Sequence, residues 1–226
     1  MLSSLWLDMQ RWWWRRGAVQ EPLCTVLAAP YPGRSTPVHK ARIIAVDLEL
    51  TGLDPHTDQI VSIGWVPIEN GRVRLARAER VFVQIDGSVD HSATVHGIVD
   101  ASLREAVPLR DAVEPLLQDM SESVLLAHHA PVETGFLNAA CRSLFGAPLL
   151  VPVIDTVPLG RRLIERGTRS ASDADLGLDA QRRRFHLPPY PAHDALTDAV
   201  ATAELFLAHC ARLDGSGGLP LSVVLR

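Results

Sequence analysis

The sequence predicts an α/β fold: a five-stranded mixed sheet flanked by helices. Three observations carry that expectation. The first is a closely spaced series of β-rich runs from residue 42 to residue 86, with a turn signal between two of them. The second is the alternation of apolar strand-length runs with helical periodicity from residue 101 onward. The third is the length of 226 residues, which suits one sizeable domain plus a short appendage.

The elements follow in order. Residues 1–17, "MLSSLWLDMQRWWWRRG", place Leu2, Leu5, Trp6, Met9 and Trp13 at helical spacing, with Leu7 and Trp14 off that stripe. A serine near the start suits a cap, and Gly17 suits a stop. The segment lacks a small-residue cleavage site, so it does not read as a secretory signal. It is either a helix packed on its own domain or a contact surface for a protein partner, a second copy or a membrane surface. Residues 18–40 hold Pro22, Pro30, Pro32, Gly33 and Pro37 and read as a linker. The domain organisation expected is therefore residues 1–40 as helix and linker, 41–213 as the folded body, and 214–226 as a tail.

Within the body, residues 42–50, 58–68 and 79–86 read as an antiparallel meander, with Asn70-Gly71 as a tight turn. Residues 101–119 carry a helical pattern interrupted by Pro108. Strands are expected at 123–129 and 151–157, and helices at 132–145 (closed by Gly146), 158–166, 176–186 and 194–213.

Composition excludes some classes. The net charge of −4 does not advertise nucleic-acid binding, although arginines cluster at 161–162 and 182–184. Such clusters are equally well read as solvated helix faces. Three widely spaced cysteines, with no C-x-x-C, argue against a disulfide framework or a zinc site and suit a reducing cytoplasm. No apolar run is long enough to span a bilayer.

The chemistry begins with "IIAVDLELTGLD". In a strand, residues two apart share a face, so Asp47 and Glu49 point the same way at the end of an apolar run. Two buried carboxylates this close repel, and keeping both ionised calls for a cation. Hard oxygen donors suit Mg²⁺, and two such ions can serve an in-line phosphoryl displacement. Two further segments supply candidates. "PAHDALTDAV" sets His193 at a helix start and Asp198 a little over one turn in, a base and a carboxylate near the positive end of the dipole. "AHHAPVETGFL" opens a helix with Glu133. Singly, each has an ordinary structural reading. Asp54, Asp58 and Asp194 read as turn or cap residues, and Asp155 as structural.

Together and in this order, Asp47-Leu48-Glu49, the Glu133 segment and the His193-x-x-x-x-Asp198 motif resemble the DEDDh family of 3′–5′ exonucleases, which includes the proofreading subunit of bacterial DNA polymerase III. "SATVHGIVDASL" and "VIDTVPLGRRL" resemble connecting segments of that family. The resemblance implies a ribonuclease H-like fold and two Mg²⁺ or Mn²⁺ ions held by Asp47, Glu49, Glu133 and Asp198. It implies His193 as general base, with Leu50, Thr51 and His96 at the terminal nucleotide. The implied substrate is the 3′ end of single-stranded DNA or RNA. The chain departs from the pattern in its second motif, where Glu133 stands in place of Asp, His129 in place of Asn, and Val132 in place of an aromatic residue. "LELTGLD" also resembles the oligoribonuclease branch. The rival readings are a weakened exonuclease fold that binds nucleic acid or a partner, and a glycosidase, whose two carboxyls should instead flank a sugar.

Overall fold

The computed structural model describes residues 2–85, 105–166, 170–214 and 218–226. Its centre is β1 (Ile43–Leu50), flanked on one side by the antiparallel β2 (Ile60–Glu69) and on the other by the parallel β5 (Val124–Ala127) and then β6 (Val153–Asp155). Beyond β2 lie β3 (Arg72–Val73) and β4 (Glu79–Phe82), both antiparallel to it. The mixed sheet is as expected, with a sixth strand in the two-residue β3. That strand arises because Asn70 and Gly71 both take positive φ (54° and 68°), the requirement of a tight hairpin turn whose twist matches the sheet.

Seven α-helices are described: α1 (Leu2–Trp14), α2 (Leu23–Ala28), α3 (Leu109–Met120), α4 (Pro131–Phe145), α5 (Thr156–Glu165), α6 (Leu178–Arg184) and α7 (Ala195–Leu213). Alternation along β1 sorts the core into two layers. Ile44, Val46, Leu48 and Leu50 pack with α2, α3 and α4. Ile43 and Ala45 pack with Phe206 of α7 and with Leu219 and Leu221 near the C-terminus.

Several boundaries differ from the sequence expectation. The strand expected over 151–157 ends at Asp155, because the Asp155 carboxylate accepts the Val157 N–H (2.9 Å) and caps α5. Residues 18–40, expected as a linker, contain α2, whose Leu23, Val26 and Leu27 are buried. Residues near the C-terminus pair with the 36–38 segment and with β6: Val38 N–H donates to Leu219 O, Leu221 N–H to Thr36 O, and Arg226 N–H to Val153 O. α3 begins just after Pro108, at Leu109. Gly146 ends α4 with φ 84°, in the left-handed conformation expected of a glycine cap.

Candidate active site

The parallel strands β1, β5 and β6 all end on one side of the sheet, where open α/β sheets place their ligands. Asp47 and Glu49 close β1 on the face covered by α7. The Cα register aligns Asp47 with Gly64 of β2 and Gly64 with Arg80 of β4, a row across three strands. Gly64 is what lets α7 approach. A Cβ at position 64 would overlap the backbone of Ala195 and Leu196, so only glycine allows the first turn of α7 to lie against β2.

That close approach delivers Asp198. Ligand oxygens of Asp47, Glu49 and Asp198 all lie within 4.8 Å of one another. The Asp198 Oδ2 also accepts the backbone N–H of His193 (2.9 Å), and His193 has φ 68°. Asp194 caps α7 by accepting from Thr197 N–H (2.9 Å) and Thr197 Oγ1 (2.8 Å), and it is ion-paired to Arg80. The residues on either side of the α7 start are thereby held from both ends, and exposed His193 sits beside the carboxylates.

The electrostatics are those of an anion cluster. The Asp47 carboxyl is pushed well above the usual range by burial, then by the charges of Glu133, Asp198 and Glu49. Glu49 and Asp198 are raised as well, first by burial, with His193 pulling each back down. Glu133 is 5% exposed, one of its oxygens, Oε2, has no hydrogen-bond partner, and burial pushes its pKa up to about 8. Four carboxyls raised together, one with an orphaned buried oxygen, fit a divalent cation bound through oxygen.

Glu133 stands apart from the group of three. It enters from the first turn of α4, in the opposite layer from α7, and the side chain lies near Asp47 without joining the 4.8 Å cluster. Leu50 is buried in the α4 layer, after a register shift between Glu49 and Leu50. Exposed Thr51 accepts the Gln59 N–H through its hydroxyl (2.9 Å), closing the loop that follows β1. His96 lies outside the described residues. Asp155, Asp54, Asp58 and Asp194 are cap and turn groups, in keeping with the sequence.

Sequence reasoning missed Arg80. Nothing local marks it, because its role depends on the β2–β4 register. His128, present in the second motif but given no role there, has its Nδ1 2.7 Å from the Thr156 hydroxyl, tying the end of β5 to the start of α5.

The fold and site together place a carboxylate cluster at the end of a mixed α/β sheet. Comparison with known proteins carries this further: residues 44–206 match the exonuclease family model of the RNase T type, and the chain belongs to that family. A DNA polymerase III subunit epsilon-like protein from Rhodobacter capsulatus is 32% identical over 192 residues, covering 84% of this chain and 27% of that protein. A PolC-type DNA polymerase III from Thermotoga petrophila is 29% identical over 170 residues, covering 74% of this chain and 12% of that protein. The chain thus spans a minor part of the length of these relatives. Among solved structures, the nuclease domain of 3′hExo, a DEDDh family member bound to rAMP, superposes with a TM-score of 0.62 at 14% identity, covering 78% of this chain and 94% of that one. E. coli exonuclease I in complex with a dA16 oligonucleotide gives 0.61 at 12% identity, covering 76% and 41%. These two likenesses establish the fold.

Proposed function

We propose that this chain is a metal-dependent 3′–5′ exonuclease that removes nucleoside monophosphates from the 3′ ends of single-stranded DNA or RNA. The observation that carries this reading is the convergence of Asp47, Glu49 and Asp198 within 4.8 Å, with His193 tethered to Asp198. Asp47, Glu49 and Asp198 are the residues that would hold Mg²⁺ or Mn²⁺, with Glu133 completing a two-ion site from α4. Bound divalent ions supply charge neutralisation at the scissile phosphate and lower the pKa of coordinated water. His193, exposed and beside the carboxylates, takes a proton from the attacking water. Leu50 and Thr51, directly after the carboxylates, would contact the terminal nucleotide, and the family resemblance gives His96 the same role. One solved neighbour was captured with an oligodeoxynucleotide and another with rAMP, so both polymers belong in the test.

The test is hydrolysis of end-labelled single-stranded DNA and RNA with Mg²⁺, Mn²⁺ or EDTA, with Asp198→Ala alongside. Stepwise shortening from the 3′ end that requires metal and Asp198 is the expected result. No shortening of either polymer would favour a binding module on an exonuclease fold. The position of Glu133 outside the three-acid group would then be the first point to examine, through Glu133→Asp.

A further inference from the structure

α1 has two opposite faces. Leu7, Arg11 and Trp14, spaced four and three apart, point into the protein. Arg11 is buried, and its guanidinium donates to the carbonyls of Leu150 (2.9 Å), Val26 (2.8 Å) and Ala29 (2.5 Å) while lying over the Tyr31 ring. Trp14 packs on the core layer that holds α4. The helix is therefore fixed to the body. Its outward face carries Leu5, Trp6, Met9, Trp12 and Trp13, each between 56% and 65% exposed. At about 100° per residue these five span roughly a third of the helix circumference, directly opposite the packed face.

The surroundings of this apolar ridge are basic. The Arg16 guanidinium lies 4.5 Å over the Trp12 ring. Arg15 and Arg34 line the groove beside Trp12, and Arg34 and Arg226 line the groove beside Trp6. The one acid of α1, Asp8, accepts a hydrogen bond from the Tyr31 hydroxyl.

We propose that this face is an interfacial docking surface for an anionic phospholipid bilayer, with α1 lying in the membrane plane. A convex ridge of tryptophans needs no complementary groove in a bilayer interface. Indole rings settle at the headgroup level, and arginines extend to lipid phosphates while their stems cover apolar surface. A second copy fits poorly, because a two-fold contact would bring two arginine rims together. A substrate strand also fits poorly, because α1 sits at the far end of the sheet. Arg11 reaches Leu150 ahead of β6, whereas the catalytic carboxylates lie where β1 ends and α4 begins. Docking through α1 leaves that end open.

The experiment uses the full chain and sedimentation with vesicles of phosphatidylcholine alone or mixed with phosphatidylglycerol. Alongside it run tryptophan emission spectra and light scattering after size exclusion. The chain should sediment about tenfold more strongly with the anionic vesicles and with a blue-shifted emission, and added salt should weaken the binding. The Trp6→Gln/Trp12→Gln/Trp13→Gln variant should lose that binding while remaining folded and active. Should that variant fail to fold, Arg15→Glu/Arg16→Glu keeps the apolar face and should still reduce anionic-vesicle binding about tenfold. Absence of vesicle binding, binding unchanged in both variants, or a dimer that the tryptophan variant returns to monomer would overturn the proposal.

Discussion

Replacing Glu133 by Gln tests the electrostatics of the site without touching the three clustered carboxylates. Glu133 is 5% exposed and its pKa is raised from 4.5 to about 8, by burial first and then by Asp155, against an opposing bond from its own backbone N–H. A carboxyl whose folded pKa is raised adds stability that is fully present below its unfolded pKa and is lost as pH rises through its folded pKa. The window here runs from about pH 4.5 to about pH 8. Between pH 5 and pH 8 this single group should cost the metal-free protein about 3 kcal/mol of stability, a loss the Gln variant lacks. Urea unfolding in EDTA at the two pH values, for parent and variant, reads the difference directly. Glu49 and Asp198 titrate in both proteins and largely cancel, whereas Asp47, whose carboxyl the Glu133 charge pushes up, is relieved in the Gln variant and adds to the difference in the same direction. Curves that stay parallel within about 0.5 kcal/mol would mean that Glu133 is solvated in solution, and the reasoning from its burial would fail. Added Mg²⁺ at pH 8 should restore more stability to the parent than to the variant if the ionised carboxylate is a ligand.

Three further expectations follow from named contacts. Gly64→Ala forces a methyl group into the Ala195 backbone; a loss of about 1–3 kcal/mol in thermal unfolding, with a fall in hydrolysis as the α7 start shifts, is expected. Arg80→Ala should change stability by less than about 1 kcal/mol, because the pair with Asp194 is partly exposed. Its single-turnover rate should nevertheless fall, with Arg80→Lys recovering part of it; an unchanged rate would remove Arg80 from any positioning role. Arg11→Met leaves three carbonyls without their donor and should cost about 2–4 kcal/mol, with limited proteolysis opening the chain after α1.

The parts of the fold that were legible are those where a local pattern and the tertiary environment agree. The β1 run, the Asn70-Gly71 turn and the Gly146 stop each state their conformation in two or three residues. Two of the three motif segments supplied Asp47, Glu49 and Asp198, which the structure brings together, for the same reason: Asp-x-Glu on a strand and an acid one turn into a helix fix side-chain direction locally. What was illegible depended on distant partners. The α1 apolar stripe suits own-domain packing and outside contact equally, and the residues turned inward are Leu7, Arg11 and Trp14 instead. An arginine meeting three carbonyls anchors a helix as firmly as leucines do, and those carbonyls belong to α2, the turn after it and the approach to β6. α2 hid among prolines because a six-residue helix is too short to display a period. Thr156 and Val157 looked like strand until the Asp155 cap took precedence over their β-propensity. The distance between Glu133 and the other three acids depends on which layer each helix occupies, and no spacing along the chain encodes that.

The stitching of residues 36–38 to 219–221, and the groove shared by Trp6, Leu7, Leu225 and Arg226, have a topological consequence. Trp6 and Leu7 lie beside Leu225 and Arg226, so the path between these residues is close to a closed ring. A short flexible joint could connect them, and a cut in the exposed loop between β1 and β2 would then yield new ends beside the carboxylate cluster. The order in which the acidic segments appear along the chain would change, while their arrangement in space would not.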